Sequence, residues 1–386
     1  MQGLFVHDHR FPRKNKNYYY SYGFDEEFFK RYLSIFDKLS VIGRHEDLES
    51  LENDKINKNI KFTTFKNLKQ LINKNNRLKI DKKIKKSNYI VIRLPSILGL
   101  YAVWKAKKLQ KPYLIEVVGC AWDAISNKGI TKILPAIIIT YLTKKAVYSA
   151  NYVVYVTEKF LEDRYPTKGE YIACSNVTLE AVKDEDLSKR YKRIGDFNLD
   201  KKIIIGTCAT IDVIYKGQED VIEAMANLVN KGYDIEYQLV GGGDSSYLKS
   251  VAEKFNVLNR IKFIGAIEHK KVFEWLENID IYVHPSKQEG LSRAIIEAMS
   301  KGCPVFGADA GGIHELIDEE FIFDKGNINQ ICNIFEKFDK KTMKNQASKN
   351  HKKSKDYLKK VLYKRREDFF EEFIQNSKKE NPKESF

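Results

Sequence analysis

Two glutamates separated by seven residues lie in the stretch DIYVHPSKQEGLSRAIIEAMSKGCPVFGADAGGIHELI (280–317). Glu289 falls in a loop after an apolar strand, and Glu297 falls inside a helix predicted from about Ser292 to Lys301. Free amides and the helix dipole at such a helix start attract anions. A diphosphate at this helix start would be flanked by two carboxylates, with Glu289 able to accept hydrogen bonds from a transferred sugar and Glu297 from a ribose. Taken alone, the two glutamates are better explained as a loop acid and a solvated helix residue.

A loop lysine and a glycine-rich turn could complete this anion site. Lys216 follows the strand KIIIGTCAT (202–210), where its ammonium group could neutralise a leaving diphosphate. The segment QLVGGGD (238–244) ends a strand in glycines, which let the backbone approach a ligand, so Gly241 and Gly242 are candidate contacts. Taken alone, the lysine could be an ordinary surface residue and the glycines a plain tight turn.

These loops follow strands in two successive α/β halves. Short apolar runs such as NYIVIRL (88–94) and RIKFIGA (260–266) alternate with helical stretches. This alternation indicates parallel sheets covered by helices, and the polar stretch 186–202 is interpreted as the linker between them. The fold class is therefore α/β, with two doubly wound, Rossmann-like domains facing a central cleft. Ligands of such sheets bind outside the carboxyl ends of the strands.

Composition limits the class of protein. Five widely spaced cysteines without a CxxC pair argue against a zinc site or a disulfide framework. The N-terminus lacks the pattern of a signal peptide, which predicts a cytoplasmic protein. The apolar run ILPAIIITYL (133–142) is about half the ~20 residues that a spanning helix needs. A buried core helix is the favoured interpretation, with a membrane-interface helix as the alternative.

The basic character lies in the first half of the chain. Residues 1–200 hold 37 Lys and Arg against 23 Asp and Glu, and residues 51–86 hold 12 against 3. Such an excess attracts nucleic acid, acidic lipid or a diphosphate-linked substrate, although a merely solvated lysine-rich surface explains it equally well. Metal ligands are sparse, because the single Asp-x-Asp pattern, Asp184-Glu185-Asp186, is interpreted as a solvated charged face and His7-x-His9 has too few ligands.

The stretch 280–317 resembles the donor site of family-4 retaining glycosyltransferases. Their motif EGLPRALIEAMA-G-P followed by GG-x-x-E corresponds here to EGLSRAIIEAMSKGCP and GGIHE. The resemblance implies that Glu289 contacts the donor sugar and Glu297 the ribose. It also implies that the amides of Gly290 and Leu291 contact the sugar and phosphate. Ser292 stands where the family usually has Pro, and both residues suit a helix start.

Two positions depart from the family pattern. The family pairs the phosphate-binding lysine, here Lys216, with an arginine five residues earlier, but this chain has Ile211 there. Arg293, in the first turn of the predicted helix, is the hypothetical replacement. Many members also carry a histidine in the segment VVGCAWDA (117–124), which this chain lacks. His7 or Asp123 could bind the acceptor instead, with loop structure or helix capping as the alternative.

The resemblance also implies the GT-B architecture and the reaction. We expect an acceptor-binding domain at 1–197, a nucleotide-sugar domain at 198–345 and a helical segment at 346–386 that packs back on the first domain. The reaction would be retaining transfer of a hexose-type sugar from a UDP- or GDP-sugar, without a metal or other cofactor. The acceptor would be a surface-glycan precursor, such as a capsule, O-antigen or lipid-linked oligosaccharide.

Other classes of protein stay open. A GT-B phosphorylase would need a pyridoxal-binding lysine site, and none is identified. A basic nucleic-acid-binding protein would explain the charge of the first half, but it would not explain Glu289 and Glu297, and no nucleic-acid-binding motif is present. We therefore expect no nucleic-acid partner. The expected acceptor is a polyprenyl-diphosphate-linked glycan at the inner face of the cell membrane, with peripheral contact to anionic lipid.

Overall fold

The computed structural model describes residues 1–21, 23–49, 54–57, 59–126 and 130–380. The chain forms two compact units. The first combines Met1–Cys174 with the end of the chain from Tyr363 onward, and the second is Ser175–Leu362. These divisions differ from the predicted boundaries at 197/198 and 345/346, and the reasons lie in two charged helices described below.

The first unit is built around a parallel sheet. In space its strands run β4-β3-β1-β5-β6-β7-β8, and the short β2 pairs antiparallel with β1. The strands are β1 (Gln2–Lys14), β2 (Asn17–Tyr18), β3 (Lys38–Asp47), β4 (Ile60–Phe65), β5 (Tyr89–Leu94), β6 (Tyr113–Val117), β7 (Tyr152–Tyr155) and β8 (Glu170–Ala173). The aromatic stretch NYYYSYG (17–23) thus contributes a strand, and its Tyr22 lies outside the described residues.

Helices pack against this sheet through small and aliphatic side chains. Ala102 and Ala106 of one helix and Val147 of another join strand residues such as Ile92 and Val117 in one buried cluster. The helices are α1 (Glu26–Leu33), α2 (Lys74–Lys86), α3 (Ile97–Lys108), α4 (Ala121–Ser126), α5 (Ile133–Tyr148) and α6 (Phe160–Arg164).

The second unit has a six-stranded sheet in the order β11-β10-β9-β12-β13-β14, with every pair parallel. Its strands are β9 (Ile203–Cys208), β10 (Ile235–Val240), β11 (Ile261–Gly265), β12 (Ile281–His284), β13 (Val305–Ala308) and β14 (Ile322–Phe323). Its helices are α7 (Asp184–Asp196), α8 (Gln218–Asn230), α9 (Ser246–Lys254), α10 (His269–Asn278), α11 (Arg293–Ser300), α12 (Ile328–Phe335) and α13 (Lys340–Ser354). The strand order reverses between β9 and β12, which is where ligands of such sheets bind.

The stretch interpreted as a linker is mostly helix α7, which belongs to the second unit. Arg190 is only 2% exposed, and its guanidinium donates to the carbonyls of Ile279 (2.7 Å) and Leu276 (2.6 Å). Asp186 is buried against Lys301 at 2.8 Å. The linker interpretation was wrong because these charges satisfy buried polar groups instead of facing water.

The last helix, α14 (Lys359–Glu380), begins in the second unit and continues into the first. Within the first unit, Arg366 donates to Glu116 of β6 at 3.0 Å, and Arg93 of β5 donates to the same buried carboxylate at 3.4 Å. Burial alone would raise the pKa of Glu116, but Arg366, Arg93 and a third arginine hold it below its ordinary value. This ion cluster anchors helix α14 on the first sheet.

Only part of the predicted C-terminal segment belongs to the first unit. Helix α13 packs in the second unit, where Gln346 accepts from the amide of Val305 at 2.7 Å and Asn350 donates to the carbonyl of Cys303 at 2.8 Å. Residues 363–380 are the part that packs on the first sheet. The predicted segment also includes 381–386, which lie outside the described residues.

The apolar run 133–142 forms the start of α5, and the core-helix interpretation was wrong. Leu134 and Tyr141 are 66% and 63% exposed. Within the described ranges, no helix combines the length and the hydropathy needed to cross a bilayer. The run is therefore a surface helix with apolar side chains directed outward.

We expect Arg366→Met to lower the free energy of unfolding by about 3 kcal/mol, because the buried Glu116 carboxylate loses its closest cation. The midpoint of thermal unfolding should fall by roughly 6–12 °C. Lys364→Met on the same helix is the matched control, since Lys364 is exposed and forms an exposed surface pair with Asp368. Similar small losses for both variants would contradict the anchoring role of Arg366.

Candidate active site

The predicted site lies at the carboxyl ends of β9 and β12, within the second unit. After β9 the chain forms a short 3-10 turn, Ile214–Lys216, before α8, and after β12 it forms the loop that leads into α11. The two strands pair directly, through Ile281 with Ile205 and Tyr282 with Gly206. Their neighbouring ends bring the lysine loop and the glutamate loop together.

Close backbone contacts join these two loops. Gly217 has a positive φ of 72°, and a Cβ atom there would collide with the carbonyl of Pro285. The amide of Lys287 donates to the carbonyl of Tyr215 at 2.7 Å. Because only glycine permits both the φ angle and the approach, the position of Lys216 is fixed relative to the loop after β12.

Lys216 and Glu289 form an ion pair, with the ammonium nitrogen 2.7 Å from Oε1. The same oxygen lies 3.1 Å from Nε2 of His284, the last residue of β12. Burial acts to raise the pKa of Glu289, but the hydrogen bond from His284 and the charges of His284 and Lys216 outweigh it and lower the pKa to about 2. Glu289 is therefore an ionised acceptor, unsuited to act as a general acid.

Helix α11 begins where the sequence predicted. Ser292 is its N-cap, and the Ser292 hydroxyl accepts from the amide of Ile295 at 3.3 Å. Arg293 is the first helical residue, and among the described residues its side chain has no ion-pair partner. Gly290 and Leu291 precede the cap, so their amides lie in the loop at the positive end of the helix dipole.

Glu297 lies one turn into α11 and is only 4% exposed. Its Oε1 atom lies 2.7 Å from Nε2 of His269, the first residue of α10. The Glu297 hydrogen bond raises the pKa of His269 despite the opposing effects of burial and of Arg293. A buried carboxylate held by one exposed imidazole can exchange that partner for a hydroxyl donor.

Glycines shape the rest of this end of the sheet. Gly241 has a φ of 153° and packs against the carbonyl of Ala209, and the carbonyl of Gly242 accepts from the amide of Ile211 at 3.1 Å. Gly311, with a φ of 57°, packs against the carbonyl of Glu289. The backbone beside the two glutamates is thus held by direct contacts between loops.

The two candidate acceptor residues lie in the first unit and have partners there. The His7 ring stacks on Phe24 with centroids 5.9 Å apart, and burial, followed by the charge of Arg93, keeps its pKa well below the ordinary value. Asp123, in α4, pairs with Arg164 at 3.3 Å. Acceptor binding by His7 or Asp123 stays a prediction.

Two histidines of the site were missed from the sequence. The sequence pattern gave His284 only as part of the strand end DIYVHPS. It gave His269 only as part of RIKFIGAIEHKKV (260–272), a segment that resembles the one lining the nucleobase in the family, without singling the histidine out. The signal for His284 was its position as the last strand residue before the glutamate loop, on the strand beside the lysine loop. His269 opens α10, and only the folded chain reveals its contact with Glu297.

No group of His, Cys, Asp or Glu side chains suited to a metal ion is present in the parts of the chain that the structure describes. The Asp184-x-Asp186 pattern is divided between two environments. Asp184 is exposed and pairs with Lys355 at 2.8 Å, whereas Asp186 is buried against Lys301. The interpretation of this run as a wholly solvated face was therefore wrong for Asp186.

Comparison with known proteins gives the same class as the site. The family model described as glycosyl transferases group 1 matches residues 189–359. Protein CapJ of Staphylococcus aureus is 38% identical over 346 residues, which cover 86% of this chain and 85% of CapJ. Among solved structures, HepE of Anabaena in complex with UDP has a TM-score of 0.69 at 16% identity, covering 96% of this chain and 100% of HepE. Sucrose-phosphate synthase of Thermosynechococcus elongatus has a TM-score of 0.67 at 14% identity, covering 97% and 99%.

The chain belongs to the group 1 glycosyltransferases, as the motif resemblance predicted, whereas family 4 and retention of configuration stay predictions. The predicted fold class is confirmed as well. Both units are parallel-sheet α/β domains of the kind found in GT-B glycosyltransferases. The protein is therefore a glycosyltransferase.

The pair between His269 and Glu297 should make stability depend on pH. The raised pKa means that its contribution is fully present below the unfolded value of about 6.5 and is lost as the pH rises through the folded value. We expect His269→Gln to lower the unfolding midpoint by ~1–2 °C at acidic pH and to have little effect at alkaline pH, because the ring is largely exposed and solvent screens the pair.

The control repeats the measurement in a Glu297→Gln background. There the acidic-pH effect of His269→Gln should disappear, because the carboxylate that stabilises the imidazolium is gone. An effect that is equal at both pH values, or that persists without Glu297, would show that the two side chains are not coupled.

Proposed function

We propose that this glycosyltransferase transfers a hexose-type sugar from a UDP- or GDP-sugar to a surface-glycan precursor, with retention of anomeric configuration. The observation that supports it is the pairing of Lys216 with Glu289 at 2.7 Å, beside the start of α11 and one turn before the buried Glu297. This arrangement combines a cation for a diphosphate with acceptors for two sets of hydroxyls.

In the proposed complex the diphosphate lies at the start of α11. Free amides of Gly290 and Leu291 would donate to its oxygens, and the helix dipole would favour its charge. Lys216 and Arg293 would supply positive charge as the bond to the sugar breaks. Arg293 suits this role because, within the described chain, it has no carboxylate partner to give up. We propose that these groups act without a metal or other cofactor.

The ionised state of Glu289 suits a positioning role on the donor sugar. With a pKa of about 2, its carboxylate accepts hydrogen bonds from sugar hydroxyls at any physiological pH. It would not supply a proton to the leaving group. Retention is then assigned to attack from the face of the leaving group, with a diphosphate oxygen receiving the proton of the acceptor hydroxyl. The similarity to family-4 motifs is what supports this stereochemistry.

We assign the ribose of the donor nucleotide to Glu297. Among the described residues, the polar partner of its buried carboxylate is His269, which lies at the exposed start of α10. Replacing this imidazole by ribose hydroxyls would keep the carboxylate satisfied when the donor binds. A uridine donor is supported by analogy with HepE, which was solved in complex with UDP. The guanosine alternative rests only on the family resemblance of the site motif.

The proposed acceptor is a capsule, O-antigen or lipid-linked oligosaccharide, including a polyprenyl-diphosphate-linked glycan at the inner face of the membrane. Two observations support it. The chain is similar along most of its length to CapJ, and residues 1–200 carry an excess of basic side chains. Basic residues favour both a diphosphate-linked substrate and an anionic membrane surface.

We expect UDP or GDP to raise the unfolding midpoint of the wild-type protein in the presence of a chelator, and to raise that of Glu297→Ala less. The loss of one ribose contact should weaken binding roughly fivefold or more. The nucleotide-induced shift is compared within each variant, so a change in basal stability does not affect the result. Glu274→Ala, an exposed glutamate on α10, is the control. Equal shifts in all three proteins would contradict the ribose role.

We expect Lys216→Met to reduce donor turnover about 10²- to 10³-fold, because the leaving diphosphate loses its nearest cation. Release of nucleoside diphosphate from the donor is the measurement, made with and without acceptor. Lys270→Met, which removes an exposed lysine of α10, should leave turnover unchanged. If Lys216→Met kept full activity, the proposed role of the Lys216 side chain in catalysis would be contradicted.

A further inference from the structure

Helix α5 of the first unit directs large apolar side chains outward. Leu134, Ile137 and Tyr141 are 66%, 51% and 63% exposed, and Ile138 and Leu142 are also exposed. Their spacing of three and four residues places them on one side of the helix. We call these five residues the α5 face. Together they form a continuous apolar surface, of the kind that marks an interaction site.

The buried side of the same helix is made of small residues. Ala136, Thr143, Ala146 and Val147 are the buried positions of α5. An ordinary surface helix places its large apolar side chains on the core and its polar side chains in water. Over its first turns, helix α5 directs most of its large apolar side chains outward, although Ile139 packs against the buried cluster. Packing of the fold therefore does not explain the α5 face.

Lysines precede and follow the α5 face in the sequence, and several lie near the C-terminal end of the helix. Residues 124–157 contain four lysines and no acidic residue. Lys144 and Lys145 follow the α5 face directly. Lys107 of α3 lies near Lys145, since burial and then repulsion from Lys145 lower the pKa of Lys107. The ammonium group of Lys168 lies 4.8 Å from the ring centroid of the exposed Tyr148, at the end of α5.

We infer that the α5 face docks on an anionic phospholipid bilayer. An apolar strip of Leu, Ile and Tyr side chains flanked by lysines matches the boundary between acyl chains and charged headgroups. A helix of 16 residues, about 24 Å long, lies in that boundary and does not cross it. This inference rests on the proposed function, because an enzyme that uses a lipid-linked acceptor must work at a membrane.

A second copy of the chain fits this surface less well. A symmetric dimer through the α5 face would place the same lysines of both copies around one apolar contact, with no acidic residue of residues 124–157 to pair with them. Like charges around a contact oppose association. Headgroup phosphates supply the missing negative charge, which is why the bilayer is the partner that we assign.

The test is co-sedimentation of the full chain with vesicles. One set contains phosphatidylcholine alone, and the other contains phosphatidylcholine and phosphatidylglycerol in equal parts. We expect binding to the mixed vesicles only, weakened by salt. The triple variant Leu134→Ser, Ile137→Ser and Tyr141→Ser should bind roughly tenfold or more weakly. Ile72→Ser, which changes an exposed isoleucine elsewhere in the first unit, should bind like the wild type.

A second variant separates charge from apolar insertion. Lys144→Gln with Lys145→Gln should reduce binding to the mixed vesicles and flatten its salt dependence. Equal binding of the wild type to both kinds of vesicle, or unchanged binding of the triple serine variant, would overturn the inference. Self-association of the wild type that the serine changes abolish, without vesicle binding, would identify the α5 face as an interface between copies.

The nucleotide-induced thermal shift is measured on the same proteins. It depends on the second unit, where Lys216, Glu289 and Glu297 lie. If the wild type shows the nucleotide-induced shift but does not bind vesicles, the docking surface is contradicted and the proposed nucleotide-sugar site is not affected. An absent nucleotide shift with intact vesicle binding would contradict the proposed nucleotide-sugar site and leave the docking surface supported.

Discussion

Backbone contacts between loops determine where the charges of the site stand. The carbonyl of Pro285 lies against Gly217, and the carbonyl of Glu289 lies against Gly311, so neither glycine has room for a side chain. The first contact fixes the lysine loop to the end of β12. The second fixes the glutamate loop to the turn after β13. Lys216 and Glu289 therefore meet because three loops are packed together, and the ion pair is a result of that packing.

Both glutamates of the site have polar partners within the second unit. Glu289 is balanced by Lys216 and His284, and Glu297 by His269. A buried carboxylate without partners would be costly, so these contacts hold the site in shape before any substrate arrives. A donor would then exchange hydrogen bonds with groups that are already oriented, which limits the reorganisation needed at the chemical step.

Much of this could be read from the sequence, for physical reasons that differ between elements. Both ends of α11 were predictable from local signals, because Ser292 caps its start and Gly302 follows its end. The two parallel sheets followed from alternating apolar runs. Helix α7 was not predictable in the same way, since Arg190 bonds to carbonyls at Ile279 and Leu276, which are far away in the chain. The contact of His269 with Glu297 is likewise long-range. A charged stretch is interpreted as solvated from sequence alone, because the residues that pair with it in the folded protein are distant in the chain.

The return of α14 to the first sheet makes the first unit discontinuous in sequence. Residues 1–174 alone would leave Glu116 of β6 buried without Arg366, and would uncover aromatic side chains such as Tyr152 that pack on Phe369 and Phe373. A fragment that ends at residue 174 would thus have a buried carboxylate without its arginine partner and aromatic side chains exposed to water. An autonomous version of this half would have to join the helix from 363 onward to residue 174 by a short artificial connection.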